Sequence, residues 1–274
     1  MSIPSLDFLD LDMAKAYDAG ELRYDPSQPR KPNGQFGSTG GASTSGDDDV
    51  DVDSGDSDDY ASIANPGELD GDIPASALSA QQESYLEDEL DGIMVEAVVD
   101  YTGAAHYDTN KVMRGAPPPP ITNEDIAFEA EALGEYVNMA VLGAPPIDKD
   151  IVVYRGVSEK ALGLDSVTYG DQQLDELIGT SFIDKGIVST SVDAAQARGF
   201  TVNQPVVLAV RVPKGSQALY VDKMSTHPGE REVLLPSKTK FSVVAIERPK
   251  SGTLKNHAVI IVDAETLPFS DLNA

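Results

Sequence analysis

The feature that most constrains this chain is a change of hydrophobic period at Pro146. Before it, apolar residues recur at helical spacing. Leu86, Leu90, Ile93, Met94, Ala97, Val98 and Tyr101 fall on one stripe, with Glu83, Glu87 and Asp88 off it. Thr102-Gly103 ends that helix, and a second short one fits Ala105 to Arg114, before Pro117 to Pro120 break the chain. A third runs from Thr122, placed as an N-cap, through Val141 to the stop at Gly143-Ala144-Pro145-Pro146. After Pro146 the segments are short, β-branched and separated by turns. Ile151 to Arg155 and Gly186 to Ser191 read as strands, Asp193 to Phe200 as a helix. Pro205 to Val212, Ala218 to Val221, Glu232 to Leu235, Thr239 to Ile246 and His257 to Val262 complete the strands. Helices first and strands after predict an α+β domain rather than alternating α/β.

That pattern starts near Ser79, so residues 1–78 read as a tail and 79–274 as one folded domain. The tail is dense in Pro and Gly from Asp25 to Gly37, then carries a Gly/Ser/Thr tract and an acidic run from Asp47 to Asp59. Such a stretch buries too little apolar surface to offset its ordering entropy, and its charges repel, which predicts disorder. Leu6, Phe8, Leu9, Leu11 and Met13 could form a short docking segment ahead of it. The first residues lack the basic and apolar regions of a secretory signal, and nothing approaches 18 consecutive apolar residues.

The formal net charge is −26, which disfavours unaided binding to nucleic acid or an anionic membrane and suits a cationic partner. Cysteine is absent, so disulfides, zinc–thiolate sites and thiol catalysis are excluded. His106, His227 and His257 show neither metal-ligand spacing nor a serine-triad pattern. No Gly-x-Gly-x-x-Gly marks a Rossmann dinucleotide site.

Three polar features remain at strand ends. Glu230 and Glu232 follow the Pro228-Gly229 turn signal; on a strand, residues i and i+2 share a face, with Cα atoms roughly 6–7 Å apart. Two carboxylates that close suit a cationic transition state such as an oxocarbenium ion, or are simply an exposed acidic pair. Arg155 closes an apolar strand, as a structural charge or as a fork for phosphate or carboxylate. Ser189-Thr190-Ser191 ends another strand, where hydroxyls either cap the next helix or orient a carboxylate.

The order of these motifs resembles the arginine–serine–glutamate class of mono-ADP-ribosyltransferases. Tyr101-Thr102-Gly103 through Asn110 and Arg114 is similar to that family's NAD-contacting helix region. Val153 to Val157 is similar to its arginine strand, and Phe182 to Ser191 to its Ser-Thr-Ser strand, with Phe200 at the nicotinamide-side aromatic. Pro228 to Pro236 is similar to its toxin turn and catalytic strand. The resemblance implies helices packed on a mixed β-sandwich, NAD+ as co-substrate and no metal. It implies that Arg155 binds the pyrophosphate, Ser189 holds Glu232, and Glu232 stabilises the ribose cation. Glu230 would then serve an arginine acceptor, a carboxylate pairing with a guanidinium. Tyr101, Asn110, Gly156, Thr190, Ser191 and Phe200 would line the NAD site, Gly156 by allowing close approach of the nicotinamide amide. Tyr220, Met224 and His227 are the candidates for choosing the target protein. His106, Gly156 and Asn203 depart from residues common in relatives, which implies a leaner phosphate site.

NAD glycohydrolase activity and a silent virion structural protein are the rival readings. The Arg30 to Gly37 segment is similar to linkers of phage head proteins, which implies synthesis in a host cytoplasm, packaging with injection, and a capsid or portal partner for the tail. A bacterial toxin or effector is the alternative source.

Overall fold

The computed structural model describes residues 72–115, 124–158, 162, 172–201 and 206–266. Residues 1–71 of the expected tail, its docking segment and Asn203 lie outside them, whereas residues 72–78, expected in the tail, are helical. The described chain begins with α1 (Asp72–Ser84), seven residues ahead of Ser79, followed by a π-helical turn (Tyr85–Glu89). Where the sequence suggests one continuous helix, the chain leaves helical geometry at Leu90 (φ −72°, ψ 120°). Asp91 restarts it as N-cap, its carboxylate accepting from Ile93 N at 2.9 Å, and α2 runs Gly92–Asp100. A second π-helical turn (Tyr101–Ala105) leads into α3 (His106–Met113), and α4 spans Glu124–Gly143.

The strands are β1 (Ile151–Val157), β2 (Ser181–Asp184), β3 (Val188–Ser191), β4 (Val206–Val212), β5 (Leu219–Tyr220), β6 (Glu232–Leu235), β7 (Thr239–Glu247) and β8 (Ala258–Glu265). A 3₁₀ helix (Gln172–Leu177) precedes β2, and α5 (Ala194–Gly199) lies between β3 and β4. They join in the order β2-β7-β8-β4-β1-β3-β6-β5. The sheet is mixed because β4 and β8 run parallel, while its other described pairings are antiparallel. Strand β2 was not separated by period, since Phe182 and Ile183 are flanked by polar residues.

Alternation along the strands builds three cores. One apolar cluster takes Val210 of β4, Val233 and Leu235 of β6, Tyr220 of β5, Phe241 and Val243 of β7 and Val262 of β8, with Ala75 and Leu78 of α1. Strands near both ends of the order share it, so the sheet wraps around one interior, the sandwich expected from the resemblance. Leu234, one residue out of phase, points the other way, into a cluster with Val98 and Tyr101 and with Val137 and Val141 of α4. Val207, Ala209, Val259 and Ile261 form the third with Ala194 and Ala197 of α5. Central strands β4 and β8 are thus buried on both faces, which explains their unbroken apolar runs.

Candidate functional site

The site forms where the helical layer meets the ends of β1, β3 and β6. Glu232 opens β6 and shares a face with Leu234, which carries it toward the helices. In the β3–β6 register Ser191 faces Glu232 and Ser189 faces Leu234. The Ser189 hydroxyl lies 3.3 Å from the Tyr101 hydroxyl and favours the ionised form of the Glu232 carboxylate. Tyr101 Oη in turn donates to Ile187 O at 3.1 Å and accepts from Asn110 Nδ2 at 2.8 Å. Asn110 Oδ1 accepts from Ile187 N at 2.8 Å. A polar chain therefore runs from α3 through the buried Tyr101 to Ser189, with Asn110 and Tyr101 both held by the backbone of Ile187. Burial pushes the Tyr101 hydroxyl up to about 12, so it stays protonated as a donor. Glu232 is raised to about 7, chiefly by burial and further by Glu230, against the lowering effects of Ser189, His227 and Arg155.

Glu230 reaches the same cleft by another route than the sequence predicts. It lies in the turn, before β6 begins, and Arg231 between the two glutamates is left-handed at φ 53°. The i, i+2 alternation of a strand does not join them. A left-handed non-glycine residue is held only by surrounding contacts. Asp222 Oδ1 supplies them, accepting from Gly229 N at 2.8 Å and Arg231 N at 2.9 Å. Gly229 itself sits at φ 98°, where glycine costs nothing. The Ser191 hydroxyl donates to Glu230 O at 2.6 Å and accepts from Asp193 N at 3.0 Å. Ser191 thus fixes the backbone of Glu230. His227 Nδ1 stands 3.1 Å from Thr102 O, tying the turn to the helical layer.

On the cleft's other side is Arg155. Its side chain is 23% exposed, yet its Nη1 is buried with no hydrogen-bond partner among the described residues. The nearest carboxylate, Asp184, is 3.9 Å away and already held by Arg114, through Nε to Oδ1 at 2.8 Å and Nη2 to Oδ2 at 2.9 Å. Burial lowers the pKa of Arg155, whereas for Arg114 the lowering by burial is outweighed by Asp184 and the net shift is upward. Asp184 is held below the usual carboxylate range: burial pushes it up, and Arg114, Arg155 and the Gly186 N–H together outweigh that. One carboxylate serves two guanidiniums, leaving a positive charge at the cleft wall.

The cleft encloses about 380 Å³ and is lined by Tyr101, Asn110, Arg155, Gly156, Ser189, Thr190, Ser191, Phe200, His227, Glu230 and Glu232, together with Thr102, Gly103, His106, Tyr154 and Ala197. Every residue predicted for catalysis or NAD binding borders it. Several do so with their polar groups already used: Thr190 Oγ1 donates to Val233 O at 2.7 Å, and Asn110 is bonded through both amide atoms. Gly156 is required for a reason other than ligand approach. A Cβ there would stand 2.4 Å from Ala197 O, so the missing side chain lets α5 pack on β1. Phe200 is 62% exposed at the cleft, available to a planar ligand.

Two of the three expected target-choosing residues are misplaced. Tyr220 is buried on β5 in the sheet core, and Met224 packs against the helical cluster; neither lines the cleft. An aromatic beside a polar loop reads as accessible in sequence, but strand alternation turns Tyr220 inward. Of the three, only His227 borders the cleft. Arg114, quoted with the NAD-contacting region, is turned onto Asp184 and does not line it. The residues that sequence reasoning missed are Asp184 and Asp222. Asp184 had a signal: an Asp two residues before Gly186 whose carboxylate accepts Gly186 N at 2.9 Å, an Asx-turn pattern. Among the described residues no group of three His, Asp or Glu is placed to hold a metal ion, and no helix is long and apolar enough to cross a membrane.

An arginine, a serine and a glutamate converging on one cleft between a helical layer and a wrapped mixed sheet define the class to which comparison with known proteins leads. A family model described as ADP-ribosyltransferase exoenzyme matches residues 75–268. The chain belongs to that family. It is 30% identical over 107 residues to the mono-ADP-ribosyltransferase C3 of Clostridium botulinum C phage, covering 35% of this chain and 42% of that relative. The match thus spans less than half of that curated relative's length. Its fold is similar to Plx2a, an ADP-ribosyltransferase toxin from Paenibacillus larvae, at a TM-score of 0.57 and 21% identity over 71% of this chain and 96% of that one. It is also similar to BECa, the ADP-ribosylating toxin of a C. perfringens binary enterotoxin solved with NADH, at a TM-score of 0.57 and 21% identity over 70% and 47% of the two chains. At these identities the likeness is one of fold.

Proposed function

We propose that this protein is a mono-ADP-ribosyltransferase that takes ADP-ribose from NAD+ and places it on an arginine of a target protein. The observation that carries this reading is the half-buried Glu232 carboxylate, lining one cleft with Ser189 and with an Arg155 guanidinium whose Nη1 has no hydrogen-bond acceptor among the described residues. Family membership and a curated relative of that activity support it. Arg155 supplies charge-assisted hydrogen bonds to the NAD+ pyrophosphate. Glu232 accepts from a hydroxyl of the nicotinamide ribose and faces the positive charge that develops at C1′ as the C1′–nicotinamide bond breaks. Ser189 aims that carboxylate, and Phe200 offers a face for the leaving nicotinamide. Glu230 then holds the incoming guanidinium and takes the proton it loses as the new C1′–N bond forms. The second carboxylate lining the cleft, Glu230, supports arginine over an uncharged acceptor.

The test is incubation of the full chain with NAD+ labelled in its adenylate part and a lysate of candidate host cells, followed by mass spectrometry of labelled protein. Label on arginine, absent with Glu232→Gln, supports the proposal. Free ADP-ribose without protein label would establish a glycohydrolase instead, and intact NAD+ a silent fold.

A further inference from the structure

The turn that carries Glu230 is fastened from outside the cleft, by the first helix. Gln82 of α1 is fully buried, and both ends of its amide are spent on β5. Its Nε2 donates to Ala218 O at 2.7 Å, and its Oε1 accepts from Tyr220 N at 2.9 Å. Strand β5 is two residues long and stands last in the sheet order, with β6 beside it. Val221 N is turned to that neighbour and donates to Glu232 O at 3.0 Å, which leaves Ala218 O and Tyr220 N on the outer edge. There an amide, donor and acceptor side by side, takes the place of a further strand. Covering an edge requires only an apolar helix face, such as Ala75 and Leu78 provide. A buried amide bonded to two backbone groups also fixes where the strand stands.

What β5 delivers is Asp222, two residues beyond Tyr220. Asp222 Oδ1 accepts from Gly229 N and Arg231 N, the two amides that flank Glu230. A shift of β5 therefore moves the atom on which the left-handed Arg231 is pinned. The residue after Asp222 is tied to α1 as well: Lys223 Nζ donates to Glu83 Oε1 at 2.9 Å, an exposed pair that adds little by itself. Adjacent residues of α1 thus grip the chain on both sides of Asp222. Glu232 does not depend on this path, because β3 holds the other edge of β6, with Ser189 opposite Leu234 and Ser191 opposite Glu232. We infer that Gln82 is a positioning residue for Glu230: by fixing β5 it sets the place of Asp222, and through Asp222 the turn that carries Glu230. This role rests on the reading that Glu230 serves the incoming arginine. Gln82 does not line the cleft and is given no contact with NAD+.

The experiment reads two rates on the full chain: labelling of arginine in lysate protein, and release of nicotinamide from NAD+ without an acceptor. Gln82→Met keeps the length of the side chain and removes the amide. It is expected to lower arginine labelling ~10-fold while nicotinamide release stays within ~3-fold, the split of a lost acceptor geometry. Because the effect runs through Asp222, Gln82→Met should change labelling by less than ~2-fold in an Asp222→Ala background. A merely structural Gln82 lowers both rates together, or adds its full loss to that of Asp222→Ala. Either result, or an unchanged ratio of the two rates in Gln82→Met, overturns the inference. Should Gln82→Met not fold, Gln82→Asn keeps the amide but is too short to reach both backbone groups, and the same ratio and the same pairing with Asp222→Ala are read with it. Wild-type protein that releases nicotinamide yet labels no arginine overturns the functional reading itself, an outcome distinct from an active wild type whose ratio does not move.

Discussion

Arg155 Nη1 lies 3.9 Å from Asp184 Oδ2, near enough to feel the charge and too far to be bonded by it. That gap leaves a guanidinium ready for a ligand. Arg155→Lys keeps the charge and loses the fork, so NAD+ affinity is expected to fall by ~10-fold or more, read by calorimetry. An unchanged affinity would show that Arg155 acts as a point charge alone.

Glu232 sets a pH dependence with a definite sign. Its folded value, raised to about 7 first by burial and then by Glu230, means that the carboxylate proposed to face the ribose cation is lost as pH falls. The kcat/KM for NAD+ is expected to rise with pH up to about 7 and then level, reporting the free enzyme. Stability runs the other way. Between the ordinary value of 4.5 and about 7 the folded state holds a proton that the unfolded chain has released, so stability declines as pH rises through that window. Glu232→Gln removes the decline and should be the more stable protein above pH 7, by on the order of 2 kcal/mol in urea titration. No stability difference at pH 8 would mean that the carboxylate is not desolvated.

Ser189 and Ser191 are one turn of pleat apart and do different work. The Ser189 hydroxyl favours the ionised Glu232, so Ser189→Ala should move the pH profile upward and lower activity ~10-fold or more at neutral pH. Ser191→Ala frees the Glu230 backbone instead and should leave the midpoint in place. Identical profiles for the two variants would contradict this division.

The proposed acceptor role of Glu230 can be separated from the donor chemistry. Glu230→Gln is expected to lose transfer to arginine by ~100-fold while keeping most NAD+ cleavage to free ADP-ribose and nicotinamide. Equal loss of both activities would assign Glu230 to the donor side.

Tyr220 and His227 separate packing from recognition. Tyr220→Ala opens the core under β5 and should cost about 3 kcal/mol of stability. His227→Ala, at the exposed cleft rim, should change stability by less than about 1 kcal/mol while altering transfer to protein. A stable Tyr220→Ala variant with changed target choice would reverse the assignment.

Much of this was legible in sequence because it is local. The period change at Pro146 gave helices then strands, and β6 came out at Glu232–Leu235 with the predicted bounds, since Val233 and Leu235 alternate with Leu234. Motif order brought Arg155, Ser189, Glu230 and Glu232 to one cleft. Local pattern failed where long-range contacts decide. The break at Leu90 and the start at Asp72 depend on packing of α1 and its following turn, not on period. The closeness of Glu230 and Glu232 was expected from strand pleat, whereas it is made by a left-handed Arg231 pinned by Asp222, nine residues back.

By itself, then, the sequence determined the residue types, their order and the faces set by backbone periodicity: an α+β chain of a transferase family with its four polar residues in line. The tertiary structure decided which of those groups remain free to act. Thr190, Ser191 and Asn110 satisfy buried backbone groups. Gly156 makes room for α5, and Tyr220 fills the core. Arg114 is taken up by Asp184 through two hydrogen bonds. Buried hydrogen bonds and charges are matched between segments 39 to 77 residues apart, and no spacing along the chain records who is matched with whom.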